Sequence, residues 1–232
     1  MLMGTYTRTM VSRAATTRTT RIVRDQPEHR WPAFVAVVAA VVIYSFLPST
    51  FVPVPRYILP IIATLLAIPL IVLNPHHFTK ETAWSRRLSF GLTGVILIFN
   101  QVEVVGIVQE LLNGSAHGST VLLNAVQVWL TDVIAFGLLF WQLDGRGPVS
   151  RRLPGDPVPR DFRFPQEDTG KPTPWQPAFF DYLYFSLSNM MAFSPTDVMP
   201  LTTRAKGFMA IQAMTGFALL ALVIARAVNI LT

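Results

Sequence analysis

Apolar residues along the chain gather into six runs, at 33–52, 57–73, 88–112, 119–143, 178–193 and 207–231, with polar stretches between them. A perpendicular helix needs about 20 mostly apolar residues to cross a bilayer core, with about 17–25 as the working range. The pattern predicts an all-α polytopic membrane protein: a bundle of five full spans plus a fifth-in-order segment, 178–193, that is short or re-entrant. Four units follow from it: a basic tail at 1–31, four transmembrane helices at 32–143, a polar linker at 144–177, and a final unit at 178–232. That last unit holds the short helix, a Ser-Pro-Thr-Asp turn and the last span.

Proline and glycine mark the boundaries. Pro53 and Pro55 make a tight connection after the first run, and Pro60 and Pro69 predict a kinked second helix, since neighbouring helices can satisfy the carbonyls that proline frees. Asn74-Pro75 ends the second run, and a glycine-containing turn at 114–118 joins the third to the fourth.

Composition strengthens this picture. The chain is 51% hydrophobic and 14% charged with mean hydropathy +0.43, whereas a soluble domain carries about 25% charged residues. The net charge of +6 arises beside the apolar runs, where Lys and Arg mark the cytoplasmic side, so it does not point to nucleic acid. With all six segments spanning and the N-terminus cytoplasmic, the inner loops hold 15 basic residues: six in the tail, three at 74–87 and six at 144–177. Only Arg56, Arg204 and Lys206 fall outside. Trp31, Trp84, Trp141 and Trp175 share the inner interface, which favours indoles.

This count leaves two arrangements for the fifth segment. The fourth span ends on the cytoplasmic side, so the linker at 144–177 is cytoplasmic. The 16 residues at 178–193 then form either a thin full span or a loop that enters and leaves by the cytoplasmic face.

Polar side chains inside the third and fourth runs mark candidate chemistry. Asn100, Glu103 and Glu110, with Ile107 between the last two, recur at helical spacing and share one face. On the fourth run Thr120, Asn124, Gln127 and Thr131 form a second stripe, with Asp132 beside it. A carboxylate at the centre of a spanning helix costs at least about 2.5–3.5 kcal/mol on insertion scales, so Glu103 and Asp132 must face protein or water. One reading is a hydrated path or a proton or cation site between the stripes. The other is a polar helix–helix seam in which these groups bond one another.

The stretch from Phe179 onward carries a family resemblance. An aromatic helix, Asp181-Tyr182-Leu183-Tyr184-Phe185-Ser186, precedes Asp197, Pro200 and Thr202, and an Ala-, Leu- and Val-rich helix follows. This order resembles the pore-helix, filter and inner-helix unit of potassium-channel-like pore-loop proteins, over about 55 residues. The resemblance implies a homotetrameric pore and makes Ser188, Asn189, Ser194, Thr196 and Asp197 pore-turn candidates. The filter itself is degenerate. Where the channels carry Thr-Val-Gly-Tyr-Gly, this chain reads Ala192-Phe193-Ser194-Pro195-Thr196. Pro195 fixes φ and lacks an N–H, and no glycine supplies the backbone freedom a carbonyl filter uses. Phe179, Asp181, Met191, Phe193, Asp197 and Val228-Asn229 equally resemble an uncharacterised family of bacterial multi-pass proteins, which implies no activity. Both resemblances imply a bacterial inner membrane.

Other chemistry is thin. The chain has no cysteine, which excludes thiolate sites and disulfides. His76-His77 lack a third ligand at metal spacing, and no phosphate loop, nucleophile elbow or HExxH motif occurs. No metal, cofactor or enzymatic activity is expected. The expected function is ion-channel-like or transporter-like without potassium selectivity. The alternative is a non-catalytic subunit of a larger membrane complex. The bilayer, a second copy or such a complex is the expected partner.

Overall fold

The computed structural model describes residues 31–46, 60–65, 83–113, 118–152, 158–167, 175–191 and 198–231. The pore-turn candidates Ser194, Thr196 and Asp197, the side chain of Glu110, and the tail at 1–30 lie outside them. The described chain is mostly helical: α1 (Trp31–Phe46), α2 (60–65), α3 (Ala83–Asn113), α4 (Gly118–Leu143), α5 (Pro148–Arg152), α6 (Phe179–Met190) and α7 (Thr203–Leu231). Three of these are long and apolar enough to cross a membrane, over Trp84–Gln109, Leu122–Arg146 and Thr203–Ala225.

Helix α4 is the axis of the bundle, packing against α1, α3, α6 and α7. Of its apolar window 67% is buried, against 39% for α3 and 22% for α7, so α4 is enclosed while α7 turns most of its surface outward. Small residues let neighbours come close. On α1 the buried positions Ala33, Ala36, Ala40 and Tyr44 recur at steps of three and four, while Val35, Val38 and Val42 stay exposed on the opposite face. On α4, Gly137 lies under α6, and a Cβ there would press on the Leu183 backbone.

One end of α4 is a dense aromatic plug. Phe136, Phe140 and Trp141 meet Phe179, Tyr182 and Phe185 of α6; Phe140 lies 5.1 Å from Phe185 and 5.2 Å from Phe162 between ring centroids. Phe162 and Phe164 come from the linker, which a sequence reading leaves without a core role. Their alternation in Asp161-Phe162-Arg163-Phe164 is a period of two, and Phe162–Arg163 forms β1, antiparallel to β2 (Met199–Pro200), with Phe162 opposite Pro200 and Arg163 opposite Met199. The all-α expectation therefore gains a two-strand ribbon.

That ribbon fixes the path of the chain. Helix α6 starts beside the C-terminal end of α4 and runs back along it, Leu183 against Gly137 and the Ser186 hydroxyl donating to the Val133 carbonyl at 2.7 Å. Its far end rests on α7, where Gly216 faces the Met190 carbonyl with no room for a Cβ. At β2, however, the chain is again beside Phe162 and the α4 terminus. The stretch from Phe179 to Pro200 leaves from, and returns to, the same end of α4.

Candidate functional site

Two polar clusters occupy this frame. The first sits at the aromatic end and is built on two carboxylates with no exposed surface, Asp144 and Asp161. Gly145, Arg146 and Gly147 all have positive φ (55°, 62° and 104°), which turns the chain sharply after α4 and leaves the Asp144 side chain facing the core. Its Oδ1 accepts from the Asp161 and Phe162 amides at 2.7 and 3.2 Å. Its Oδ2 accepts from the Tyr182 hydroxyl at 2.5 Å and from Arg160 Nε at 2.8 Å. Arg151 donates to the Trp141 and Asp144 carbonyls, both at 2.7 Å, and stacks over the Tyr182 ring at 5.0 Å. Burial alone would lower the Arg160 pKa, but the Asp144 carboxylate, with Glu167 at 3.1 Å, outweighs it and holds the guanidinium above its ordinary value.

Asp161 ties the linker to the start of α7. Its carboxylate receives Arg204 through Nε and Nη2, each at 2.7 Å, and the Thr202 hydroxyl at 2.6 Å. The Leu201 amide donates to its carbonyl at 2.8 Å. A bidentate guanidinium–carboxylate pair is directional as well as strong. Arg204, which six full spans would place opposite the linker, is bonded to the linker itself.

The second cluster lies deeper, and here the two predicted stripes do meet. Asn100 and Asp132 are without exposed surface. Asp132 Oδ1 accepts from Asn100 Nδ2 at 3.5 Å and Gln101 Nε2 at 3.3 Å. The Thr131 hydroxyl lies 3.0 Å from Asn100 Oδ1, 3.0 Å from the Gln127 carbonyl and 3.1 Å from the Val128 carbonyl, so its single proton is shared among three acceptors. Gln127 and Asn124 are buried on the same helix, and the Asn124 amide has no partner. Asp132 Oδ2 likewise has none, and Asp132 makes no ion pair among the described residues.

Glu103 goes elsewhere. It is buried, and its Oε1 accepts from the Tyr44 hydroxyl of α1 at 3.0 Å. The two carboxylates thus occupy separate contacts. Asp132 lies ten residues from Leu122 at the edge of its apolar window, about 15 Å along the helix; Glu103 lies six from Gln109, about 9 Å. Asp132 is the more central.

The cluster extends through residues that the sequence stripes omit. Gln101 bridges α4 and α7, its Oε1 accepting from Thr215 at 3.1 Å. One turn away, Gln212 is fully buried and donates to the Ser186 carbonyl and hydroxyl at 3.1 and 2.7 Å. Asn189 donates to Gln212 Oε1 at 2.8 Å and to the Met209 carbonyl at 3.0 Å. Asn189, a pore-turn candidate, is therefore placed in the α6–α7 seam, and the Ser188 hydroxyl donates back to the Tyr184 carbonyl at 3.0 Å. Gln212 and Thr215 sit three apart inside an apolar run, which is the signal that marks them. Asp181 accepts from the Ala178 amide at 2.7 Å and closes the N-terminus of α6.

Among the described residues no three His, Asp or Glu side chains are grouped to hold a metal. Comparison with family models, with curated proteins and with solved structures finds no match.

Proposed function

We propose that the chain is a channel-like or transporter-like membrane protein without a potassium-selective filter, with five crossing helices and α6 as a re-entrant helix. One observation carries this reading: α6 starts and the chain returns at one end of α4, while the far end of α6 rests at Gly216. Gly216 is thirteen residues into α7, about 20 Å along a helix of 29 residues. Lipid offers no hydrogen bonds, so a backbone that stops being helical at such depth is tolerated only where protein buries it or a water-filled cavity adjoins it. The C-terminal end of α6 also carries the negative pole of its helix, worth about half an elementary charge, which favours a cation there.

The re-entrant path changes the charge count. Arg204 and Lys206 join the 15 basic residues of the tail, the loop at 74–87 and the linker, giving 17 on that side against Arg56 and Arg226, at the far end of α7, on the other. That side is then cytoplasmic by the positive-inside rule, in the inner membrane of a bacterium. Asp132, as the central unpaired carboxylate, is assigned to ion or substrate passage. Ser194, Thr196 and Asp197 remain the pore-turn residues of this reading, and an oligomer, tetrameric if channel-like, completes it.

A second reading has its own observation. Glu103, Asn100, Asn189 and Gln212 are bonded to protein partners, as in a dry seam, and α7 exposes Ile211, Met214, Phe217 and Ile224. A non-catalytic subunit of a larger complex would look like this. Reconstitution into liposomes, with proton and monovalent-cation flux followed at two pH values, separates the two. Flux that Asp132→Asn abolishes supports the first reading; silence of the wild type under all conditions supports the second.

A further inference from the structure

A groove of about 610 Å³ lies between α3 and α7, lined by Ile98, Gln101, Val105 and Gln109 of α3, with Phe136 of α4 and Phe208 of α7. Ile98 and Val105 are exposed, so the groove opens sideways, toward the acyl chains in a membrane. Its volume is that of a site for a compact organic molecule, about 300–1,000 Å³.

We propose that this groove binds a lipophilic organic cation, whose charge is read by Gln101, by the Asp132 carboxylate behind it and by the two aromatic rings. The inference rests on the reading of Asp132 as a working carboxylate rather than a seam residue. Three observations on the groove agree in sign. Gln101 forms part of its wall and is the residue that reaches Asp132. Asp132 is fully buried, has one oxygen without a partner and has no cation paired with it among the described residues, and an uncompensated buried carboxylate is costly. Phe136 and Phe208 are among the residues that line the groove, and aromatic rings attract cations most when water is absent.

The same features argue against other occupants. An acyl chain fills apolar space and gains nothing from Asp132. An anion is repelled by it. A hydrated inorganic ion would have to shed its water against aliphatic walls. A cation whose charge is spread over an apolar body enters from the lipid at little cost and supplies the missing positive charge.

Binding of radiolabelled tetraphenylphosphonium to the purified full chain in detergent tests this without requiring flux. The expected result is saturable binding that Asp132→Asn weakens about tenfold, the loss of one nearby charge in a low-dielectric site. Val105→Trp, on the exposed wall where folding is undisturbed, should weaken it similarly by filling the groove. Glu103→Gln, which faces Tyr44 instead, should leave it unchanged. Non-saturable uptake, saturable binding indifferent to Asp132→Asn or Val105→Trp, or equal competition by neutral triphenylphosphine oxide would overturn the proposal. Absent binding with intact Asp132-dependent flux would sink this inference alone; absent flux with Asp132-dependent binding would sink the transport reading alone.

Discussion

Replacing Asp144 with alanine is expected to be among the most damaging single changes in the chain. The carboxylate has no exposed surface and receives the Tyr182 hydroxyl, the Asp161 and Phe162 amides and the Arg160 guanidinium. Tyr182, Asp161 and Phe162 are themselves fully buried, so the alanine variant strands three donors with no water to replace the lost acceptor. Each costs about 1–3 kcal/mol. The Arg160 side chain is 24% exposed and can rehydrate in part, so its share is discounted. Allowing for local relaxation, the expected loss is about 3–5 kcal/mol, the range for breaking a buried charged contact. Tyr182→Phe removes one donor and leaves the carboxylate its other partners, and should cost about 1–1.5 kcal/mol. Unfolding in mixed micelles, followed by tryptophan fluorescence, measures both; Trp141 lies beside the site in the aromatic cluster. Glu167→Ala, which removes a partly exposed partner of the same arginine, is the reference and should cost less than about 1 kcal/mol. If Asp144→Ala proved no more harmful than Glu167→Ala, the account of Asp144 as the hub joining α4, α6 and the linker would be wrong.

Other outcomes follow from particular contacts. Gly216→Ala would ordinarily stabilise a helix interior by about 1 kcal/mol, but here the new methyl meets the Met190 carbonyl, so a net loss of about 1–3 kcal/mol is expected; thermal unfolding with a gain in midpoint would refute the α6–α7 approach. Asp161→Ala should free Arg204 and Thr202 from the linker, and limited proteolysis should then cut faster near the start of α7; unchanged cleavage would show the tie to be unimportant. In reconstituted vesicles Asp132→Asn should lower flux strongly while Glu103→Gln changes it little, because Glu103 is bonded to Tyr44 and separate from Asp132; equal effects would argue against that division.

How much of this was legible in the sequence depends on which periodicity carried it. Long apolar runs marked α3, α4 and α7, because length and composition alone define a span. The stripes of Asn100, Thr131 and Asp132 are visible at helical spacing, but their meeting is not, because spacing leaves the rotation of each helix about its axis open. The partner of Glu103 was not visible: Tyr44 belongs to α1, and nothing local links positions 44 and 103. The linker's arginines and prolines dominate its composition and make it look polar throughout, while Phe162 and Phe164, two residues apart, drive it onto the aromatic plug. The choice between a full span and a re-entrant helix could not be made from segment length. The re-entrant proposal rests on the pairing of Arg163 with Met199 and of Asp161 with Arg204, long-range contacts that no window of sequence contains.

Those pairings are also the most direct point of attack. The chain has no native cysteine, so single cysteines can be introduced at Arg163, at Leu201 and at Asn113, the last residue of α3. Arg163 and Leu201 are exposed, and each variant is treated with a membrane-impermeant maleimide in right-side-out and inverted vesicles. The expected result is that Arg163→Cys and Leu201→Cys react from the same face, the cytoplasmic one, and Asn113→Cys from the other. Labelling of Arg163→Cys and Leu201→Cys from opposite faces would make the segment between them a full span and contradict the re-entrant account.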